Sequence, residues 1–379
     1  MRAALCARGL ECVDMDQRPG EIVLLTGASG FLGRHVLKHL LEQEGVAEVR
    51  ALDKAEIEDC EETEKLRLYR CDLLDAEACR EAFRGADVVM HCAGLVDYRY
   101  PPDVDSLRRN NVDASENVVR LCVQERARLL VHCSTTEVTL QPASRFGVTA
   151  SVIYKTESKL EAPEDGARLM FGEYAASKLR AERIVLKANN TPLSDGGVLL
   201  TTALRPTLLY GEGDPHLLPE ILRFAKHRDL PRLCGLAGKQ QMTYVGNAAW
   251  AFIRAHDTLK KNPKAIAGLP VNVTDDTLVE NLARFCERVT RSGGNRVKVS
   301  NFSVPFALSY LGALVFELLI RRGFVSKLKI PPRSMVAYLG SSLLYSRARA
   351  SIHMNYWPKY NTEETLTIAR KYYGVFMKL

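Results

Sequence analysis

The sequence lacks several features that would place it in a specialised class of proteins. Its ten cysteines form no C-x-x-C pair and show no metal-type spacing with histidine, so we expect neither a metal site nor a disulfide framework. Free thiols of this kind are typical of a reducing compartment that faces the cytosol. The net charge of +7 is modest and dispersed over 379 residues, which argues against nucleic acid as a partner.

The N-terminal 1–20 segment also lacks an apolar stretch of about 7–15 residues, so it does not resemble a secretory signal. We interpret it as an extension ahead of the fold. Internal repeats and low-complexity tracts are absent too. With 46% hydrophobic and 26% charged residues, the chain can build a sizeable core, and disorder, a collagen-like repeat and a coiled coil are excluded.

Strand and helix patterns alternate from residue 21 onwards. Ile22–Leu25 is an apolar run without polar alternation, which is typical of a strand buried on both faces of a parallel sheet. A glycine-rich turn and a helical pattern over Phe31–Gln43 follow it. Further strands are predicted over Val49–Asp53, Leu66–Tyr69, Val88–Met90, Leu129–His132 and Val198–Leu204, and further helices over Val112–Gln124 and Tyr174–Ala188. This order predicts an α/β fold, a Rossmann-like doubly wound parallel sheet with right-handed crossovers.

The regular alternation weakens after about residue 138, and beyond 210 short strands, helices and loops mix. We therefore predict two parts: a dinucleotide-binding Rossmann domain over 21–205 and a smaller C-terminal substrate-binding lobe over 206–379.

The segment Val304–Ile320 is apolar except for Glu317, and Arg321 and Arg322 follow it. Its 17 residues lie at the lower limit of a membrane-spanning helix, about 17–25 residues. A core helix is the alternative. Because little interior remains to be filled so late in an α/β fold, we expect 304–320 to contact a membrane surface, as an interfacial or re-entrant segment.

The turn TGASGFLG, Thr26–Gly33, lies between a predicted strand and a predicted helix. Gly27 would permit the tight turn, Gly30 would let backbone N–H groups approach a pyrophosphate, and Gly33 would let the helix pack on the strand. Phe31 and Leu32 open the helix, whose free N–H groups favour phosphate. These five residues are the predicted dinucleotide-binding turn, and the flanking strand and helix make the prediction specific.

Asp53 ends the second predicted strand, 20 residues after Gly33. A carboxylate at this place can accept both ribose hydroxyls and repels a 2′-phosphate, so it favours NAD over NADP as cofactor. Lys54 weakens this preference because a cation can receive a phosphate. Asp72, after the third strand, is a candidate for the adenine edge, with helix capping as the alternative.

Tyr174 and Lys178 are four residues apart on one face of a predicted helix. The pair alone proves nothing, but it lies on the first clear helix after the fifth strand. A phenol has a pKa of about 10, and a neighbouring ammonium together with an oxidised nicotinamide would lower it enough for Tyr174 to act as a base on an alcohol. Ser134, Thr135 and Thr136 follow the fifth strand, where one hydroxyl could polarise the substrate oxygen.

Eight segments together resemble the 3β-hydroxysteroid dehydrogenase/Δ5-Δ4 isomerase family of extended short-chain dehydrogenases/reductases. In order, they are TGASGFLG, VRALDKA, HCAGLVD, NNVDASENV, CSTTEV, EYAASK, LRPTLLYGEGDP and MTYVGNAAWAF. The similarity covers about 21–370. It implies an enzyme that oxidises a 3β-hydroxysteroid or sterol with NAD, and that shifts the Δ5 double bond to Δ4.

The resemblance also implies roles for single residues. Tyr174 is the base, Lys178 its activator, and Thr135 the catalytic hydroxyl, with Ser134 as the fallback. Asn111 matches the asparagine that holds the active-site helix and its proton-relay water. The implied location is the endoplasmic reticulum membrane with the catalytic domain facing the cytosol, or a mitochondrial membrane; a homodimer is allowed.

Two departures from the family pattern concern the chemistry. Ala176 stands where steroid enzymes often carry histidine, and Thr135 replaces the common serine. No carboxylate, Asp97 included, has a context that marks it as the isomerase acid–base, so the isomerase step rests on the resemblance alone. Three alternatives stay open: a sterol-4α-carboxylate 3-dehydrogenase, a nucleotide-sugar epimerase or dehydratase, and a non-catalytic NAD sensor.

Overall fold

A computed structural model describes residues 20–57, 63–143, 148–164, 166–234, 238–291, 297–326, 328 and 331–376. The predicted N-terminal extension therefore lies outside the described residues, apart from Gly20.

The centre of the molecule is one twisted sheet of mostly parallel strands. Its strands are β1 (Glu21–Thr26), β2 (Val46–Asp53), β3 (Leu66–Arg70), β4 (Val88–His91), β5 (Leu129–Cys133), β7 (Thr191–Pro192), β8 (Val198–Pro206) and β13 (Pro270–Val273). The order β13-β8-β5-β4-β1-β2-β3 is parallel throughout, and β7 adds antiparallel to β8. The prediction of a doubly wound α/β fold is confirmed, and the carboxyl ends of β1, β4 and β5 face one cleft.

Helices cover both faces of this sheet and continue into the C-terminal lobe. They are α1 (Phe31–Leu41), α2 (Ala76–Phe83), α3 (Val104–Leu107), α4 (Ala114–Gln124), α5 (Gly172–Lys187), α6 (Leu217–Ala225), α7 (Val245–Lys261), α8 (Leu282–Val289), α9 (Phe306–Arg321), α10 (Pro332–Leu339), α11 (Ala348–His353) and α12 (Thr362–Phe376). The helix predicted from Val112 begins at Ala114 instead, because a π-helical turn, Arg108–Asp113, precedes it.

Two apolar cores hold the helices on the sheet. Helices α1 and α7 pack together over one face, and α2, α4 and the end of α5 cover the other. The side chains of Val23, Leu24 and Leu25 in β1 are all fully buried. A strand covered on both faces needs apolar residues at every position, which explains the unbroken run in the sequence.

Outside the central sheet, the described residues form three small parallel sheets. Their strands are β6 (Ser151–Lys155), β9 (Leu208–Tyr210), β10 (Leu230–Leu233), β11 (Lys239–Gln240), β12 (Met242–Tyr244), β14 (Val299–Val304) and β15 (Ser342–Tyr345). The chain crosses between the two predicted parts more than once. Strand β13 and helix α7 come after residue 205, yet they belong to the Rossmann layers. Strand β6 comes before residue 205, yet it pairs with β15 near the C-terminus.

Helix α9 contains most of the apolar segment 304–320. Unlike an ordinary surface helix, it buries polar side chains and exposes large apolar ones. Its buried residues include Ser309 and Glu317, and Glu317 accepts hydrogen bonds from the backbone N–H of Arg333 and, at 2.6 Å, from its Nε. Its exposed large apolar residues are Leu308, Leu311, Val315, Phe316, Leu318 and Leu319. Within the described ranges, none of the helices combines the length and the apolar character that a bilayer crossing requires. An apolar face of this extent marks an interaction surface.

A buried ion pair ties α5 to the sheet. The carboxylate of Glu182 accepts hydrogen bonds from Arg205 Nε at 2.8 Å, from Arg205 Nη2 at 2.5 Å and from the Ser134 hydroxyl at 2.5 Å. The side chains of Glu182 and Arg205 are only 2% and 5% exposed. The three residues lie on α5, at the end of β8 and just after β5, so the ion pair fixes the helix that bears Tyr174 and Lys178.

This arrangement predicts a large loss of stability in the variant Glu182→Ala. The substitution leaves the Arg205 guanidinium buried without its partner, which should lower the free energy of unfolding by about 3–5 kcal/mol. Glu173→Ala, which breaks an exposed ion pair with Arg180 on the same helix, is the control and should change it by about 1 kcal/mol or less. Urea denaturation of both variants measures the difference. Equal losses would show that the Glu182 ion pair is not what holds α5.

Candidate active site

The glycine turn has the geometry that the sequence predicts for a phosphate-binding turn. Gly27 has φ = +74°, and a Cβ on it would lie 2.5 Å from the Ala93 nitrogen. A Cβ on Gly33 would collide with the carbonyl of Gly27. Only glycine therefore fits both places, because the start of α1 approaches the backbone of β1 and β4 so closely.

The predicted cofactor-binding residues Phe31 and Leu32 form the first turn of α1, where backbone N–H groups have no acceptor within the helix. Their side chains are buried in the core. Any contribution to a pyrophosphate must therefore come from their backbone N–H groups.

A cavity of 300 Å³ opens beside this turn. Gly27, Ser29, Gly30 and the ends of β2, β3 and β4 line it. The Asp53 carboxylate accepts hydrogen bonds from the Ser29 and Ala55 N–H groups, both at 3.0 Å, which fix it at the wall. Lys54, at the same wall, donates to Asn110 at 2.7 Å.

Asp72 also lines this cavity. The helix-capping alternative for it does not apply, because Asp75 caps α2 by accepting from the Ala78 N–H at 3.0 Å. Shape, glycines and the Asp53 carboxylate together fit an adenosine diphosphate moiety, as in NAD.

Tyr174 and Lys178 lie in the first half of α5, and both are buried. The Lys178 ammonium donates to the Cys133 carbonyl at 2.6 Å, at the end of β5. Burial, followed by the charge of Glu137, raises the pKa of the Tyr174 phenol well above its usual value. The expectation that Lys178 lowers the pKa of Tyr174 is therefore not met: Lys178 is not among the groups that shift it, and the pKa is raised.

Asn111 lies in the π-helical turn and connects two parts of the site. Its Nδ2 donates to the Leu95 carbonyl at 3.1 Å and to the Ser177 hydroxyl at 2.9 Å, and its Oδ1 accepts from the Leu95 N–H at 2.6 Å. Asn111 therefore connects α5 to the loop after β4.

The two hydroxyl candidates differ in their surroundings. The Ser134 hydroxyl donates to Glu182 in the buried ion pair. Thr135 is half-buried, and its hydroxyl accepts from the Glu137 N–H at 3.3 Å. Since a hydroxyl that accepts a backbone N–H keeps its own proton to donate, the geometry favours Thr135 over Ser134 as the donor to a substrate oxygen.

Two residues that the sequence analysis did not single out stand next to Tyr174. The Tyr98 hydroxyl donates to the Glu137 carboxylate, at 3.0 Å from both oxygens, and its ring packs on that of Tyr174 with the centroids 4.6 Å apart. Burial raises the pKa of Glu137 to about 7, against the lowering effects of Tyr98 and Lys178. Tyr98 follows β4 and Glu137 follows β5. Their position after the ends of parallel strands is the feature of the sequence from which both could have been predicted as site residues.

An apolar cavity of 310 Å³ begins at this group. Its lining includes Tyr98, Glu137, Phe171, Leu208, Met335 and Tyr338. A second cavity, which Tyr174 lines, shares Tyr98 and Phe171 with it. The Tyr98 side chain thus stands between the two, and it touches both the phenol of Tyr174 and the carboxyl of Glu137. The arrangement offers a base, a carboxylic acid that titrates near neutral pH and an apolar binding space.

Three solved structures with a similar fold contain NAD. MoeE5 in complex with UDP-glucuronic acid and NAD is 20% identical with a TM-score of 0.66, over 93% of this chain and 98% of that one. UDP-glucuronic acid 4-epimerase from Bacillus cereus with NAD is 17% identical with a TM-score of 0.65, over 93% and 96% of the two chains. UDP-glucose 4-epimerase from Thermus thermophilus with NAD is 21% identical with a TM-score of 0.65, over 93% and 98%. At these identities the similarity establishes the fold.

The family is established by a second comparison. The family model of the 3-beta hydroxysteroid dehydrogenase/isomerase family matches residues 24–304, which is well over half of the chain. The match includes the glycine turn, the Tyr174–Lys178 pair and the strand ends that carry Tyr98 and Glu137. The chain therefore belongs to the 3-beta hydroxysteroid dehydrogenase/isomerase family.

Proposed function

We propose that this protein oxidises the 3β-hydroxyl group of a steroid or sterol to the 3-ketone with NAD, and then shifts the Δ5 double bond to Δ4. The observation that supports this function most strongly is the contact of Tyr174 and Glu137 with Tyr98 at the wall of an apolar cavity. A buried phenol and a carboxyl with a pKa near 7 are the groups that two successive proton transfers require.

In the oxidation step, Tyr174 takes the proton of the substrate hydroxyl. NAD⁺, held by the glycine turn and Asp53, would supply the hydride acceptor and a positive charge that favours the phenolate. The hydrogen bond to the Cys133 carbonyl fixes the position of the Lys178 ammonium at the end of β5. Thr135 donates a hydrogen bond to the substrate oxygen and orients it.

In the isomerisation step, the Glu137 carboxylate takes a proton from C4 of the 3-ketone and returns it to C6. The C5–C6 double bond moves to C4–C5, and the substrate gains and loses no atoms. Tyr174, protonated by the first step, donates to the oxygen that becomes negative in between. Its raised pKa, which burial causes, favours the neutral phenol in this role.

The alternatives fit the cavity less well. Arg99 lines the cavity and could bind a 4α-carboxylate, but it already forms a bidentate pair with Asp97, with Nε and Nη2 at 2.8 and 2.5 Å from Oδ2. A nucleotide-sugar substrate, the kind bound by one solved neighbour, would bring two phosphates beside the carboxylates of Asp97, Glu137 and Glu220, which line the cavity. A non-catalytic NAD sensor would have no need for the Tyr174–Lys178 pair.

We further propose that the protein binds to the cytosolic surface of the endoplasmic reticulum membrane, with a mitochondrial membrane as the alternative. The exposed apolar face of α9 supports an interfacial position, because its leucine, valine and phenylalanine side chains would be buried among lipid chains. Arg321 and Arg322 at its end suit anionic headgroups. A homodimer stays a prediction from the resemblance.

The variant Tyr174→Phe should lose the oxidation of 3β-hydroxysteroids, because it removes the base and leaves the ring in place. We expect kcat to fall by about 10²–10⁴-fold, measured as NADH absorbance. Tyr154→Phe, at a tyrosine that is 71% exposed, is the control and should retain full activity. Unchanged turnover in Tyr174→Phe would exclude the proposed mechanism.

The variant Glu137→Gln should keep the oxidation and lose the isomerisation. A carboxyl with a pKa of about 7 is protonated below and ionised above that pH, so the isomerisation rate of the unmodified protein should rise with pH and level off above about 7. In Glu137→Gln the rate of forming the conjugated Δ4-3-ketone, followed by its ultraviolet absorbance, should fall about 10²–10⁴-fold and lose this pH dependence. The same pH profile in Glu137→Gln would assign the proton transfer to another group.

Occupation of the adenosine cavity can be followed through Cys71. Its thiol lines the cavity and is half-buried, and a hydrogen bond from Cys79 lowers its pKa, which favours reaction with iodoacetamide. NAD at 100 times its Kd should slow the alkylation of Cys71 about 100-fold, read by peptide mass spectrometry.

The same concentration of NADP should protect Cys71 less, because Asp53 repels the 2′-phosphate. Equal protection by NADP would show that Lys54 decides the cofactor preference instead. If Cys71 is alkylated at the same rate with and without saturating NAD, the cofactor does not bind in this cavity.

A further inference from the structure

Two thiols lie side by side at the edge of the adenosine cavity. Cys71 follows the end of β3, and Cys79 lies in α2. The Cys79 thiol donates a hydrogen bond to the Cys71 sulfur, and the two Sγ atoms are 2.9 Å apart. Since the S–S bond of a disulfide is about 2.05 Å long, the two sulfurs need to approach each other by less than about 1 Å to form one.

The two thiols differ in their surroundings. Cys71 is half-buried and lines the cavity, so a small molecule in the solvent can reach its sulfur. The hydrogen bond from Cys79 lowers the pKa of Cys71, against the raising effects of burial and of the Asp75 and Asp72 carboxylates. Cys79 is fully buried, and the same hydrogen bond together with burial raises its pKa. An accessible thiol with a lowered pKa beside a buried second thiol is typical of cysteine pairs that respond to oxidants.

We propose that Cys71 and Cys79 are a reversible oxidation site for hydroperoxides, and that NAD in the adenosine cavity shields it. The Cys71 thiolate attacks one peroxide oxygen and the O–O bond breaks, which gives a sulfenic acid at Cys71. The other oxygen takes up the Cys71 proton and leaves as an alcohol, or as water from H₂O₂.

The Cys79 thiol completes the reaction. Its sulfur attacks the Cys71 sulfur, the S–O bond breaks, and the hydroxyl group leaves as water with the Cys79 proton. Two thiols are thereby oxidised to one disulfide, and the peroxide is reduced. Thiol reductants restore the pair by thiol–disulfide exchange, as a reducing compartment would allow.

The position of Cys71 connects its oxidation with the cofactor. Cys71 lines the same cavity as Gly27, Gly30 and Asp53, whose shape and charge fit the adenosine diphosphate part of NAD. An adenosine group in this cavity covers the Cys71 sulfur and keeps peroxide away from it. The pair is therefore oxidised in the cofactor-free protein and spared in the loaded protein. This shielding rests on the cofactor site, whereas formation of the disulfide depends on the two thiols alone.

Peptide mass spectrometry tests the disulfide directly. Trypsin cleaves after Arg70 and Arg80, so a single peptide, 71–80, contains both cysteines. The protein is treated with H₂O₂, quenched with acid and unfolded in urea with N-ethylmaleimide, which labels every remaining thiol. Before oxidation the peptide should carry two labels. After oxidation it should carry none and be two hydrogen atoms lighter than the dithiol, and dithiothreitol should restore both labels.

Cys92 is the internal control, and it is contained in the tryptic peptide 85–99. It is half-buried and lines the same cavity, but burial raises its pKa, and within the described ranges its thiol has no hydrogen bond to another thiol. The peptide 85–99 should therefore lose its label at least about tenfold more slowly than 71–80. Equal rates for the two peptides would overturn the proposed site.

The variant Cys79→Ala removes the second thiol and leaves Cys71 at the cavity wall. H₂O₂ should then convert Cys71 to a sulfinic acid, two oxygen atoms heavier, which dithiothreitol does not reduce. Cys122→Ala is the matched control, because Cys122 is a fully buried cysteine of the same apolar core, and this variant should form the disulfide as the unmodified protein does. A sulfinic acid instead of a disulfide in the unmodified protein, or full labelling of 71–80 after oxidation, would overturn the proposal.

Shielding by NAD is measured with the same peptide. NAD at 100 times its Kd should slow disulfide formation about 100-fold, because only the cofactor-free fraction reacts. If NAD slows the alkylation of Cys71 by iodoacetamide but not its oxidation, the shielding is wrong and the cofactor site stands. Sterol turnover enters none of these readouts, so the oxidation site and the proposed function can fail independently of each other.

Discussion

The buried carboxylate of Glu182 is the interaction on which the geometry of the site depends. It joins α5 to the end of β8 through Arg205 and to the loop after β5 through Ser134. Asn111 adds a second connection, from the loop after β4 to Ser177 on the same helix. Tyr174 and Lys178 therefore sit on a helix that is fixed at two places, so the base keeps its position relative to the strand ends that face the cofactor cavity. Such support of a reacting group by buried partners is what catalysis requires.

Burial also sets the acid–base character of the site. The same exclusion of water raises the pKa of the Tyr174 phenol far from neutrality and the pKa of the Glu137 carboxyl to about 7. The two groups are in contact with Tyr98, yet they suit different steps, because a phenol needs a nearby positive charge to ionise and a carboxyl with a pKa near 7 can both take and return a proton. The Lys178 ammonium, held at the end of β5, and the apolar cavity that Glu137 lines are consistent with this division.

The apolar surfaces of the C-terminal lobe have different physical origins. On α9 the polar side chains Ser309 and Glu317 are buried together with Ala313 and Ile320, and Arg333 pairs with Glu317, while most of the large apolar side chains lie at the surface. A cavity of 600 Å³ forms instead because α6, α8 and α10 leave space between their apolar faces.

Local patterns in the sequence determined the Rossmann sheet, the glycine turn and the position of Tyr174 and Lys178, since unbroken apolar runs, glycine spacing and helical periodicity act over a few residues. The same patterns placed Asp53 and Asp72 at strand ends, and the spacing of the apolar segment 304–320 already indicated a helix. The match of the family model to 24–304 agrees with the resemblance drawn from eight short segments.

Only the tertiary structure decided which side chains meet. The contact of Tyr98 with Glu137 and Tyr174 joins residues that are 39 and 76 positions apart from it, so no local pattern contains it. The choice between Ser134 and Thr135 depends on Glu182, far along the chain, and the membership of β13 in the Rossmann sheet depends on strand pairing. The reason is physical: a pKa, a cavity or a buried ion pair depends on how much water is excluded, and that is a property of packing between distant segments.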